Sequence, residues 1–365
     1  MIISRTPFRI SFFGGGTDYP VWFREHGGAV LAAGINKYCY ISIRHLPQFF
    51  EHKHRVVWSR VETVREAAEI QHPAVRAALL DLNIQAGLEI HHDSDLPARS
   101  GLGSSSAFMV GLLHALYALD GKMTSKALLA QEAIRMEQEV LKEHVGCQDQ
   151  VLSAWGGFNK VTFHRDGSID CAPMLLPRNR LDELQDSCML FFSGISRFAS
   201  EVAKAQIDNV KNRTKELHAM GQMVDEAIAL LANPREDIGR FGRLMHESWN
   251  LKRSLSDRVT NQKIDEIYET AIAAGASGGK LMGAGGGGFL VFIVPPAFRQ
   301  KVREALRNLV EVRVGFDFGG SRIIFYDPDT DFSKNGLSML GPVKPDGAQD
   351  RVPPRAGTHP TFIVS

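Results

Sequence analysis

The sequence predicts a mixed α and β fold divided into two units. Strand-like runs rich in β-branched and aromatic residues alternate with helical runs along the chain. The length, 365 residues, leaves room for two separate cores. A strand-like run, CMLFFSG, opens a second series of elements near Asp186, after the first series has closed on a hairpin.

The first unit is drawn over residues 1–185. Met1 to about Arg44 reads as a strand, a glycine-rich turn, a short helix and a second strand whose YCYISIR segment alternates. Gln85 to His92 is a further strand, leading into a glycine–serine loop. Ser104 to Leu119 is an apolar helix. Thr124 is placed to cap the next helix, Ser125 to about His144, which Gly146 to Asp149 interrupts. Residues 158–175 form a hairpin turning at Asp166-Gly167. The second unit is drawn over 186–332. A helical region runs from about Glu201 to Leu231 and stops at Asn233-Pro234. Helices follow at Asp237 to Leu255 and Asn261 to Ala274, then a glycine run, an apolar strand from Phe289 to Val294, a helix opened by Pro295-Pro296, and two closing strands. Residues 333–365, rich in Pro, Gly and charge, read as a flexible tail.

Composition excludes several function classes. Basic and acidic residues number 42 and 41, are interspersed, and give a net charge of +1. No global field draws nucleic acid or an anionic membrane, and neither is expected as a partner. Cys39, Cys147, Cys171 and Cys188 contain no close pair, against a zinc motif, a redox dithiol or a disulfide framework. No secretory signal or bilayer-spanning run is read, so the expected location is the cytoplasm.

Three glycine clusters stand out: Gly14 to Gly16, Gly101 to Gly103, and Gly283 to Gly288. The most informative run is Pro97-Ala-Arg-Ser-Gly-Leu-Gly-Ser-Ser-Ser-Ala-Phe108. Such a loop can lay its N–H groups along a polyphosphate, and the helix beginning on the serines adds its positive N-terminal end. It is not a Walker A loop, because Gly279-Lys280 is followed by Leu281. GAGGGG satisfies a dinucleotide fingerprint only in letters, since it precedes a strand instead of following one.

Together with their flanks, the clusters resemble the GHMP kinases. The motifs are Arg5-Thr-Pro-Phe-Arg-Ile-Ser-Phe-Phe-Gly-Gly-Gly-Thr-Asp-Tyr19, the Pro97–Phe108 run, and Lys280-Leu-Met-Gly-Ala-Gly-Gly-Gly-Gly-Phe289. Gly146-Cys-Gln-Asp-Gln150, Ser193-Gly-Ile-Ser-Arg197 and Leu251-Lys-Arg-Ser-Leu-Ser-Asp257 resemble the D-glycero-D-manno-heptose 7-phosphate kinase branch. The likeness spans about Arg5 to Tyr326. It implies an α+β, two-domain fold: an N-terminal domain like ribosomal S5 domain 2 and a ferredoxin-like C-terminal domain, with the acceptor in the cleft between them.

The resemblance also implies roles. Asp149 becomes the general base, a carboxylate that accepts or aligns the acceptor hydroxyl proton. Arg9 neutralises charge on the γ-phosphoryl oxygens. Pro97, Ser100, Gly101, Leu102, Gly103, Ser104, Ser105 and Ser106 bind ATP. Ser105 and Glu137 match ligands of Mg²⁺, an ion that takes a few protein oxygens and keeps phosphate oxygens and water. Glu137 lies twelve residues before Asp149, with Glu139 as the alternative. Gly15, Gly16, Thr17, Asp18 and Tyr19 face the acceptor, Asp18 holding sugar hydroxyls. Galactokinases carry Glu-His where this chain has Gly15-Gly16, which leaves room for an acceptor larger than a hexose. Arg197, Lys280, Lys252 and Arg253 are the cations available to an acceptor phosphate, and Gly285 and Gly286 are expected to close over substrate. The implied reaction is ATP- and Mg²⁺-dependent phosphorylation of the anomeric hydroxyl of heptose 7-phosphate, feeding nucleotide-activated heptose for surface glycans. The alternatives are a GHMP kinase acting on another sugar such as fucose or galactose, and a non-catalytic nucleotide- or sugar-binding regulator.

Overall fold

The computed structural model describes residues 1–47, 49–195, 199–328 and 362–363. Its spine is a pair of long antiparallel strands, β1 (Ile2–Phe13) and β2 (Gly28–His45), joined through the first glycine cluster and α1 (Pro20–His26). β2 is 18 residues long, and one edge of it serves two partners in turn. Its first part pairs with β6 (Phe158–Phe163), itself hairpinned to β7 (Ile169–Pro173). Its second part pairs with β5 (Leu88–Ser94). β5 continues in parallel to β3 (His54–Val57), which is hairpinned to β4 (Val61–Val64). α2 (Pro73–Asp81), α3 (Ser104–Leu119), α4 (Lys126–Arg135) and α5 (Gln148–Trp155) complete this unit. α3 is buried on almost every side, as its continuous apolar sequence requires. It packs closely on β1 at Gly111, whose carbonyl accepts from Ser4 Oγ at 2.8 Å.

A second sheet is antiparallel, in the order β11 (Val310–Val312), β8 (Cys188–Phe192), β10 (Phe289–Ile293), β9 (Gly278–Leu281). The helices of this half are α6 (Arg178–Ser187), α7 (Ala199–Asn209), α8 (Thr214–Ala232), α9 (Ile238–Arg253), α10 (Gln262–Ala273) and α11 (Arg299–Ala305). Met189, Phe191, Trp249, Tyr268 and Phe292 form a core of their own there.

Several sequence expectations are corrected. β12 (Arg322–Tyr326), expected to close the second unit, instead pairs with β1 at the edge of the first sheet. Gly278–Leu281, read as the start of a glycine loop, is a strand. The cap of α4 is Ser125, whose Oγ accepts from Leu128 N at 3.1 Å, not Thr124. That helix ends at Arg135 and widens into a π-turn over Met136–Val140, so it does not reach His144. The 201–231 helix divides around a 3₁₀ turn at Val210–Asn212. Of the expected tail, Phe362–Ile363 pair in parallel with β7; the rest of 333–365 lies outside the described residues.

Candidate active site

The site forms where the three glycine clusters meet. Arg9 sits near the middle of β1, 3% exposed. Its Nε and Nη2 donate to the two carboxylate oxygens of Asp149, each at 2.7 Å, and its Nη1 donates to Gly101 O at 2.6 Å. The Arg9 amide donates to Leu102 O at 3.0 Å. One arginine therefore fixes both the phosphate loop and the acidic residue, using the fork geometry that favours two-point contact with a carboxylate. Asp149 lies in the first turn of α5. Gly103 faces the pair: a Cβ there would lie 3.3 Å from Arg9 Cγ and 3.4 Å from Asp149 Oδ2.

Gly103 is also the N-cap of α3, at φ +79°, and brings no side chain to cap the helix. The first-turn N–H groups of α3 thus have no side-chain cap from the N-cap residue, as an anion site requires. Ser104 Oγ accepts from Arg99 N at 3.2 Å and ties the loop to its own entry. Pro97 is exposed, whereas Ser100 is buried and its carbonyl accepts from Phe289 N at 3.1 Å. The third cluster lies directly against this loop. A Cβ on Gly288 would come within 2.2 Å of Ser100 O, and one on Gly283 within 2.7 Å of Gly101 Cα. Only bare backbone permits that approach.

Asp18, 2% exposed, accepts from Gly16 N at 3.0 Å and Gln148 N at 3.4 Å. Burial, and then the nearby charge of Asp149, raises its pKa. Gly146 makes room for that carboxylate, since a Cβ there would stand 1.9 Å from Asp18 Oδ2. Tyr19 is buried beside it, its phenol pushed up by burial and the charge of Asp18. Lys252, on α9, donates to Gly283 O at 2.6 Å. Burial lowers its ammonium to about 8. Lys280, 2% exposed on β9, donates to Phe12 O at 3.2 Å, and burial and the charge of Lys252 lower it further.

Some expected ligands have other work. Thr17 Oγ1 donates to Gly14 O and Ala29 O at 2.8 and 2.9 Å, stapling the first loop instead of facing a ligand. Gly285 and Gly286 pack on Val259: a Cβ on Gly285 would lie 2.6 Å from Val259 O, which accepts from Gly286 N at 2.8 Å. Arg253 pairs with Asp265 at 3.2 Å. Arg197 lies outside the described residues. The expected Ser105–Glu137 pairing is not formed. Ser105 is exposed, and Glu137, 2% exposed on the π-turn, accepts from Ser106 Oγ at 2.8 Å and from Gln150 Nε2. Successive residues of a helix turn through about 100°, so only one of three adjacent serines faces a given side. Burial pushes the Glu137 carboxyl up to about 8, and Glu139 is exposed. Sequence reasoning missed Gln150, Gly146 and Gln148, and it gave Ser106 to ATP without its hydrogen bond to Glu137. A glycine before the acidic motif was the visible signal for Gly146, but it reads equally as a turn.

A helix N-terminus, an arginine-held carboxylate and buried lysines beside bare backbone define a small-molecule phosphotransferase. Residues 62–157 match the GHMP kinases N terminal domain and residues 227–312 the GHMP kinases C terminal domain; the chain belongs to the GHMP kinase family and is a sugar kinase. It is 28% identical over 317 residues to a D-glycero-alpha-D-manno-heptose 7-phosphate kinase of Campylobacter jejuni, covering 84% of this chain and 93% of that one. It is 26% identical to a bifunctional fucokinase/GDP-fucose pyrophosphorylase of Arabidopsis thaliana, over 85% of this chain but 31% of that protein. A solved D-glycero-D-manno-heptose 1-phosphate kinase from Bacteroides thetaiotaomicron superposes with a TM-score of 0.73 at 23% identity, over 89% of this chain and 99% of that one. The two-domain α+β expectation agrees with these matches. Among the described residues, no helix is long and apolar enough to cross a membrane.

Proposed function

We propose that the protein transfers the γ-phosphoryl group of ATP to the anomeric hydroxyl of D-glycero-D-manno-heptose 7-phosphate, giving the 1,7-bisphosphate. The observation that carries this reading is the Arg9–Asp149 pair, seated against Gly103 at the head of α3. The triphosphate lies along 100–106 and the acceptor between Asp18 and Asp149. Asp149, held at both oxygens by Arg9, aligns the hydroxyl for in-line attack and takes its proton as the new P–O bond forms and the β,γ-bridging bond breaks. Arg9 and Lys252 offset charge on the transferring group. The branch assignment is favoured by the heptose 7-phosphate kinase likeness over most of both chains.

The residues present fit Mg²⁺ as a companion of ATP. Glu137 is a buried carboxylate with neutral donors, and the charges of Glu143 and Asp149 add to its raised pKa; a divalent cation would relieve both effects. The hydroxyl beside it is that of Ser106, which favours Ser106 over Ser105. Among the described residues no three His, Cys, Asp or Glu side chains converge as a metal site, so phosphate oxygens and water would complete the shell. When bound, the ion supplies charge neutralisation across the β- and γ-phosphates.

The test is ADP release with heptose 7-phosphate, mannose 6-phosphate, fucose and galactose as acceptors. Heptose 7-phosphate is expected to be preferred; turnover of unphosphorylated sugars alone defeats the reading. Asp149→Asn should lower kcat about 10²–10⁴-fold while nucleotide binding persists. Near-normal turnover would remove Asp149 from the chemistry. Nucleotide binding without turnover of any acceptor would point to the regulator instead.

A further inference from the structure

We infer that Ser11, Gln148 and Lys252 form a hydroxyl-reading subsite around the vacant Cβ position of Gly15, and that an exocyclic, hydroxyl-bearing arm of the acceptor enters it. This deepens the proposed use of a sugar phosphate acceptor and rests on it.

The middle glycine of the first cluster differs from its neighbours. Gly14 and Gly16 sit at φ +80° and +110°, and a Cβ on Gly14 would lie 1.9 Å from Ala29 O. Backbone conformation demands both glycines, and packing demands the first. Gly15 answers neither need: its φ lies outside the left-handed region and a Cβ there meets only ordinary contacts. The nearest atoms to that point are all polar and come from three separate elements. They are Gln148 Nε2 at 3.8 Å, Ser11 Oγ at 3.8 Å and Lys252 Nζ at 3.9 Å.

Two of these side chains carry buried polar atoms without partners. Ser11 is 5% exposed and its Oγ makes no hydrogen bond; the carboxamide oxygen of Gln148 is buried and likewise unpaired. Buried polar atoms are seldom left so, and a ligand is one common reason when they are. The surroundings select a hydroxyl over a phosphate. The Asp18 carboxylate accepts from the amides of Gly16 and Gln148, on either side of the vacancy. The unpaired Gln148 amide oxygen only accepts, so it has nothing to offer a phosphate dianion, whereas a hydroxyl can accept from Lys252 and donate to Ser11 or to that oxygen.

Steady-state kinetics of Gly15→Ala and Ser11→Ala in the full chain test the subsite. Gly15→Ala introduces no strained φ and should melt at the wild-type temperature. It should raise the acceptor KM roughly tenfold or more, with the KM for ATP within about twofold of wild type. It should also erase the preference for heptose 7-phosphate over mannose 6-phosphate, which has the shorter arm. Ser11→Ala should lower acceptor kcat/KM by a similar factor. Both variants are judged on whichever sugar the wild type phosphorylates. If that sugar is fucose, whose exocyclic carbon is a methyl group without a hydroxyl, the heptose assignment and the subsite both fall. Acceptor kcat/KM within about twofold of wild type in both variants overturns the subsite and leaves the heptose assignment standing. A wild-type enzyme that neither turns over nor binds any of the four sugars, by calorimetry with a non-hydrolysable ATP analogue, overturns both.

Discussion

Glu137→Gln separates a buried acid from an ordinary one. The carboxyl titrates near 4.5 when solvated, and burial in the fold pushes it up to about 8. Between those values the folded chain holds a proton that the unfolded chain releases. Stability therefore falls as pH rises from about 4.5 to about 8 and is level on either side. The whole difference corresponds to about 5 kcal/mol. Glutamine fills the same volume, and its amide oxygen can still accept from Ser106 and Gln150. Between pH 5.5 and 7.5 the wild type should lose about 3 kcal/mol relative to the variant. In thermal melts without nucleotide, that is a gap opening by roughly 4 °C for a chain of 365 residues. Adding ATP with Mg²⁺ should stabilise the wild type more than the variant, because only the carboxylate gains from a cation. Parallel melting curves across that pH range would refute the reasoning, since they would mean that Glu137 ionises as freely in the fold as outside it.

Gly146→Ala places a methyl group 1.9 Å from Asp18 Oδ2; it should raise the acceptor KM roughly tenfold or more and lower the melting temperature, which kinetics and melts both read. Gly288→Ala combines φ +103° with a 2.2 Å approach to Ser100 O; it should cost about 2–4 kcal/mol in denaturant unfolding and weaken ATP binding by parting the two loops. Lys252 loses its charge as pH rises through about 8, so the wild-type acceptor KM should climb from pH 7 to 9. In Lys252→Arg, which stays charged, that climb should vanish.

The elements with strong periodicity were legible from sequence. α3 begins and ends where its apolar run does, and the 158–175 hairpin turns where Asp166-Gly167 predicts. What escaped is held by tertiary contact. β4 has a burial pattern that is never fully buried, and α6 buries only Arg180, Leu184 and Ser187, so neither shows a clear apolar stripe. β12 reads as a strand, but no local pattern could say that it crosses back to β1. In the site, the family resemblance brought Arg9, Asp149, Asp18 and the phosphate loop together. Motif could not say which of three serines meets Glu137, because the answer turns on a π-turn that rotates the acid. It also could not separate glycines that face a ligand from those, such as Gly285, that face Val259.

The near-zero charge of the whole chain conceals a local field that depends on both halves. Arg9, Asp18 and Asp149 come from the first unit, while Lys252 and Lys280 come from the second. With all five ionised, the first unit contributes one cation and two anions, and the second contributes two cations and no anion. Burial presses Lys252 and Lys280 toward neutrality and Asp18 likewise. A polyphosphate entering beside the two lysines would favour their charged forms, so desolvation already imposed by the fold becomes attraction for the ligand. Neither half balances alone. Removing the second would leave Asp18 and Asp149 facing Arg9 with one cation for two acids, and would strip the phosphate loop of the backbone at Gly283 and Gly288 that braces it. Both the charge balance and the loop geometry thus exist only while the two units are closed on each other, and residues 1–185 by themselves should not transfer phosphate.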